Sequence, residues 1–198
     1  MNSKPCCQYH SPDGQRCQEI DMGSGFCFWH DAKFDKSGLE LTQKLERYAK
    51  RGGLLQGLEL KRANLEGLNL VKFGDHNGYD LSHGNFYRAN LRGAHLFNNT
   101  IEHASLMKAD LREANLHCCK LENTNILGVK LDHARIDNLQ LGEQLMQESR
   151  AHKALKEKAP EDAIDLFLQS EEIYRLLRKA AEQQGLFEMA GKDRKSVV

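Results

Sequence analysis

From residue 81 onward every fifth position is large and apolar: Leu81, Phe86, Leu91, Leu96, Ile101, Leu106, Leu111, Leu116, Leu121, Ile126, Leu131, Ile136 and Leu141. Two residues before most of them stands a small side chain, as at Gly84, Ala89, Ala94, Ala104, Ala109, Ala114, Cys119, Thr124 and Ala134, with a mostly polar residue between. A period of five fits neither regular element. A helix at about 100° per residue would scatter these positions round its circumference, and a strand would alternate them between faces. The backbone must turn once per repeat, so that each five-residue unit forms one side of a coil and points its apolar and small residues inward. Coils stacked about 4.8 Å apart, the spacing of hydrogen-bonded strands, then make a solenoid with a filled axis.

Ala89-Asn90-Leu91-Arg92-Gly93, Ala109-Asp110-Leu111-Arg112-Glu113 and Ala114-Asn115-Leu116 resemble the A-(D/N)-L-x-x units of the pentapeptide repeat family. The resemblance implies that family's fold, a mainly β, right-handed quadrilateral β-helix with four repeats per coil, in which residues twenty apart are vertical neighbours. Leu55, Leu60, Leu65 and Leu70 keep the same period, but Leu70 to Leu81 is eleven residues rather than ten. This predicts a one-residue interruption near 71–79, with Val71–Tyr79 as a bulge or protruding turn. One column of small-residue positions reads Tyr79, Asn99, Cys119 and Leu139, which predicts a locally widened side, with Asn99 and Cys119 bonding along the stack. Cys118 is expected to point outward. His83 stands below His103, but Asn123 follows above, so the two histidines read as exposed turn residues rather than ligands.

Outside the rod the pattern changes to helical. Ser37 can cap a helix reaching about Arg51, with Leu41, Leu45 and Tyr48 on one face and Gly52-Gly53 as the stop. It is expected to cover the open first coil and its strand edges. After Leu141 a weak stripe over 143–157 precedes a stronger one that starts at Pro160 and carries Ile164, Phe167, Leu168, Tyr174, Leu177 and Ala181. Tyr174, Leu177 and the stretch Gly185–Ala190 are similar to the turn of a tetratricopeptide hairpin. The chain thus divides into a zinc-binding module (1–36), a capping helix (37–53), the repeat rod (54–141) and a helical capping or dimerisation segment (142–198). Phe167, Tyr174 and Leu177 are the residues expected to form a homodimer.

Residues 1–36 hold four of the six cysteines and the only Trp. Cys7, Cys17, Cys27 and His30 form a four-ligand set, with Cys6 and His10 as alternates. Thiolates and imidazole are the donors of a tetrahedral zinc site, and Cys27-x-x-His30 supplies two of them from one turn. So short a segment buries too little to fold alone, which makes the zinc structural. A complete ligand set leaves no position for catalysis. Phe26, Phe28, Trp29 and Phe34 form the densest aromatic cluster, suited either to docking on a protein or to covering the end of the rod.

Composition narrows the functions. Lys plus Arg and Asp plus Glu both total 28, so no wholesale attraction to nucleic acid or anionic membrane is expected. Apolar runs fall short of the roughly 18 residues of a membrane span, and no apolar signal core follows Lys4, so the chain reads as soluble and cytoplasmic, with reduced thiols. Gyrase-binding members of the resembled family imitate DNA with an acidic rod. Here ten acids and ten bases make the rod neutral, which disfavours gyrase or topoisomerase binding. Nucleic-acid binding through the slightly acidic module is likewise disfavoured. No nucleophile supported by a base and no phosphate loop stands out in the sequence. The expectation is a non-enzymatic scaffold for protein interaction: a zinc-folded docking module, a rigid spacer and a helical assembly element, with no membrane partner.

Overall fold

The structure is a computed structural model that describes residues 5–72, 74 and 77–186. The repeats form stacked four-sided coils. From Asp80 upward, parallel bridges join residues twenty apart: Asp80 to Thr100, Asn85 to Ser105, Asn90 to Asp110, His95 to Asn115, and so on up to Lys120 with Gln140. The thirteen fifth-position residues fill the axis, and all but Leu141 are buried.

Each corner is a turn closed from the residue two before the next core position back to the last one, as in Ala94 N–H to Leu91 O (3.0 Å) and Ala114 N–H to Leu111 O (3.1 Å). The third residue of that turn is left-handed, as in a type II turn. Gly67, Gly93 and Gly128 take this position with φ near +65°, but so do Arg88, His103, Lys108, Glu113 and Cys118 with φ between 55° and 62°. Where it is Asn or Asp, the residue before the core position helps hold the strain. Asn90 Oδ1 accepts the Arg92 N–H (3.2 Å), Asn115 Oδ1 that of His117 (3.1 Å) and Asp80 Oδ1 that of Ser82 (2.9 Å). Thus the (D/N) of the motif is an Asx bridge across its own corner.

The interruption is larger than one residue. Below it, Glu59 pairs with Asn85, Asn64 with Asn90 and Asn69 with His95, each 26 apart, so Leu70 and Leu81 lie on successive sides with six residues inserted between them. Equal five-residue spacing on both sides hides this, because eleven residues read equally as two repeats plus one or as one repeat plus six. Asn99 secures the return of the insertion. Its Oδ1 accepts the Tyr79 N–H (2.8 Å), while Thr100 N–H donates to Tyr79 O (3.0 Å). Asn99 and Cys119 are fully buried, and Tyr79 and Leu139 half-buried. Cys119 Sγ donates to Leu96 O (2.9 Å) and also meets the Asn99 backbone N–H. His83 and His103 stack as turn residues, with ring centroids 5.1 Å apart.

Helix α1 spans Thr42–Lys50. Ser37 does not cap it: the hydroxyl donates to Asp35 (2.6 Å). The intervening segment turns at Ser37-Gly38, with Leu39 N–H donating to Lys36 O (3.1 Å), and is held beneath the rod by Gly38 N–H to Arg62 O (2.9 Å) and Leu41 N–H to Asn64 O (3.0 Å). Helices α2 (Met146–Lys156) and α3 (Pro160–Gln183) form a hairpin packed on the far end. There Gln184 replaces the missing next coil, since its Oε1 accepts Ile136 N–H (3.0 Å) and its Nε2 donates to Ala134 O (2.7 Å). Of the tetratricopeptide-like stretch, everything from Phe187 on lies outside the described residues.

Candidate metal centre

The N-terminal segment is a tight antiparallel ribbon. Cys7 N–H donates to Glu19 O (2.8 Å), Asp21 N–H to Pro5 O (2.9 Å) and Cys17 N–H to Tyr9 O (3.1 Å). Successive side chains on a strand point to opposite sides, so Cys7 faces inward and its neighbour Cys6 outward. The chain then turns over Cys27, whose carbonyl accepts the N–H groups of His30 (3.1 Å) and Asp31 (3.0 Å). This brings Cys27 Sγ and His30 Nδ1 to 3.2 Å.

The donor atoms of Cys7, Cys17, Cys27 and His30 all lie within 4.8 Å of one another, and all four residues are buried. Cys17 and Cys27 Sγ are 3.8 Å apart, and Cys7 Sγ is 3.9 Å from His30 Nδ1. The sulfurs stand well beyond the roughly 2.05 Å of a disulfide. The arrangement can hold a metal ion. The alternates are not in it: Cys6 is exposed, and His10 is exposed with Nδ1 2.8 Å from Gln8 O.

The surroundings of the cluster belong to the rod. His30 Nε2 sits 3.0 Å from Gln56 O, which fixes the proton there and leaves Nδ1 as the donor atom. The Tyr9 ring stacks on His30 at 4.2 Å and lies against Gly57, where a Cβ would fall 2.1 Å from the Tyr9 hydroxyl. Tyr48 of α1 places its hydroxyl 3.9 Å from Cys17 Sγ and donates to Leu54 O (3.2 Å). Hydrogen bonds from Cys27 and His30 hold the Cys17 thiol far below the usual thiol range, the state in which sulfur binds metal. The same bond and burial push its partner Cys27 up.

The aromatic cluster is mostly occupied. Trp29 is 4% exposed, stacked on Tyr48 (5.0 Å), and its carbonyl accepts the Glu59 N–H of the first coil (2.8 Å). Phe26 and Phe28 are half-buried against the core, and Lys44 lies 3.5 Å over the Phe28 ring. Phe34 is exposed, and Trp29 covers the rod end. Lys36 is buried beneath them. Its ammonium donates to Asp31 O (2.8 Å), and burial lowers its pKa. Sequence reasoning missed Lys36, since no pattern marks a lysine for burial.

At the other end, Leu177 is buried within the chain's own core and the Tyr174 hydroxyl donates to Glu148 (2.8 Å). Neither is free to pair subunits. Phe167 is exposed, and its neighbours Ile164 and Leu168 are more so.

A filled four-sided solenoid with a five-residue period is a repeat protein of the β-helix class. Its repeats match those named Pentapeptide repeats, in eight copies, over residues 80–112 and 89–126. HetL, a pentapeptide repeat protein involved in heterocyst differentiation regulation in the cyanobacterium Nostoc, is 24% identical over 41% of this chain and 50% of its own, with a TM-score of 0.26. The chain therefore spans about half the length of HetL. A second Nostoc pentapeptide repeat protein is 23% identical over 57% of this chain and 82% of its own, with a TM-score of 0.24. One from Cyanothece is 22% identical over 53% and 97%, with a TM-score of 0.21. No curated protein matches the sequence. No helix among the described residues is long and apolar enough to cross a membrane.

Proposed function

We propose that this protein is a non-enzymatic interaction scaffold, working in the cytoplasm, whose rod is closed at its N-terminal end by a zinc-clamped cap. One observation carries this reading: the buried Cys3His cluster leans on the rod itself, through His30 Nε2 at Gln56 O and Tyr48 at both Cys17 and Leu54. A tetrahedral zinc ion, with sulfur at about 2.3 Å and nitrogen at about 2.0 Å, needs S···S near 3.8 Å and S···N near 3.6 Å. The 3.8 Å between Cys17 and Cys27 and the 3.2 and 3.9 Å from sulfur to His30 Nδ1 bracket those values. Three soft sulfurs favour zinc over the hard cations that oxygen donors select. Cys7, Cys17, Cys27 and His30 would hold the ion, which supplies cross-linking and no chemistry of its own.

The non-enzymatic reading rests on the filled axis and the complete ligand set. What the scaffold offers partners is its outer surface, held rigid by caps on both ends. Native mass spectrometry of the purified chain is expected to find one zinc per chain, and chelation to lower the melting temperature by ten degrees or more. A metal-free chain whose melting point ignores both zinc and chelator contradicts the clamp.

A further inference from the structure

The neutral charge of the rod conceals a segregation by side. The side built on Leu60, Phe86, Leu106 and Ile126 points Lys61, Tyr87, Met107 and Leu127 outward, and at the adjoining corner it stacks Arg62, Arg88 and Lys108, one per coil. Tyr87, Met107 and Leu127 are half-buried and the bases exposed. Among the described residues none of Lys61, Arg62, Arg88 and Lys108 forms an ion pair. Arg88 lies against the Tyr87 ring, and Arg62 acts on Asp35 only through its field. The one acid on this side, Glu59, accepts the Asn85 amide (3.1 Å). The result is an apolar column flanked by a ladder of unpaired bases.

The complementary pattern lies on α3 of the same chain. Ile164 is 61% exposed, Leu168 59% and Phe167 38%. At 100° per residue Ile164 and Leu168 stand opposite the buried face of Ala163, Ser170, Ile173 and Leu177, and Glu161, Asp165 and Glu172 form one flank beside them. All three acids are exposed, and Asp165 bonds only the neutral Gln169 amide (2.7 Å). Farther along the same face Arg175 and Lys179 are held by Glu171 and Asp132, so over residues 161–172 an apolar stripe with an acidic flank matches an apolar column with a basic flank. The repeats also match: a helix climbs about 5.4 Å per turn and the coils about 4.8 Å, so a helix lying along the rod axis stays in step over three coils.

We propose that two copies of this chain pair reciprocally, each laying the exposed face of its α3 along the Tyr87–Met107–Leu127 side of the other. A two-fold arrangement makes the contact twice and closes the assembly, whereas a single one-way contact would leave ends open for further copies. The partner surface is therefore a second copy, identified by its charge and apolar pattern. The pairing goes beyond the capped rod and does not involve the metal, so it can fail while the clamp stands.

Charge exchange tests it. Sedimentation of the zinc-loaded chain is expected to give twice the mass of the 22.5 kDa chain. Arg88→Glu with Lys108→Glu, or Glu161→Lys with Asp165→Lys and Glu172→Lys, weakens self-association at least tenfold, as does the uncharged pair Ile164→Ser with Leu168→Ser, with circular dichroism unchanged. Mixing the two charge variants one to one restores a pair containing one copy of each, because both reciprocal contacts then join opposite charges. A single-chain mass for the unaltered protein, self-association indifferent to all three variants, or no recovery on mixing overturns the proposal.

Discussion

A left-handed backbone at nearly every corner costs roughly 1 kcal/mol for a residue with a side chain, and the rod accepts it at Arg88, His103, Lys108 and their stacked equivalents. The Asn and Asp side chains that bridge the corners, and the leucines that fill the axis, offset it. Glycine is needed for a different reason at one corner. Gly57 (φ +66°) makes room for the Tyr9 ring, which stacks on His30, whereas a methyl group added at Gly93 (φ +65°) would meet nothing within 4 Å. Gly57→Ala should therefore cost about 2 to 4 kcal/mol in urea unfolding and weaken metal retention, while Gly93→Ala costs about 1 kcal/mol and leaves the metal untouched. Equal effects would mean that Tyr9 does not support the metal site. At this level the residues that cluster were largely readable, because Cys27-x-x-His30 is a local motif, but the choice between Cys6 and Cys7 was not, since alternation turns one of the two inward without saying which. The burial of Trp29 and Lys36 was not, since either could sit on the rod or in solvent until the docking of the segment is known.

The helices show why terminal elements are less legible than repeats. A period repeated thirteen times fixes the coil, but a single stripe does not say where its helix starts. Ser37 has the chemistry of a cap, yet Gly38 and Leu41 find backbone partners on the first coil, and α1 begins only at Thr42. Leu177 carries the right spacing for a dimer seam and is spent instead on the end of the chain's own rod. The six-residue insertion was hidden by its own length, one repeat plus one. At the far cap, where Ile173, Leu177 and Ala180 pack on the rod and Gln147 bonds Asn125, one amide stands in for two backbone partners: Gln184 supplies both an acceptor to Ile136 and a donor to Ala134. Gln184→Ala leaves those two backbone groups unpaired at the edge of the core and is expected to destabilise the protein by about 1 to 3 kcal/mol. Hydrogen exchange should localise the loss to the last coil. A change below about 0.3 kcal/mol would show that water replaces the side chain there.

At the scale of the molecule, every side of the first coil has a partner at the N-terminal end of the rod among the described residues. Glu59 N–H finds Trp29 O (2.8 Å), Gly38 and Leu41 bond the next side, Glu46 Oε1 accepts Asn69 N–H (2.8 Å), and Tyr48 and His30 reach Leu54 and Gln56. Cap, helix and first coil thus share their hydrogen bonds, and the Cys3His cluster sits where they meet. Stability in such solenoids passes from neighbour to neighbour, so loosening an end loosens the next coil first. The most direct test is native-state hydrogen exchange with and without a chelator. Removing the metal is expected to expose not only residues 5–36 but also the amides of Glu59, Leu60 and Asn69, with protection returning coil by coil above them. If chelation changes exchange in residues 5–36 alone and leaves the first coil as protected as before, the module is an independent appendage and the metal does not clamp the rod.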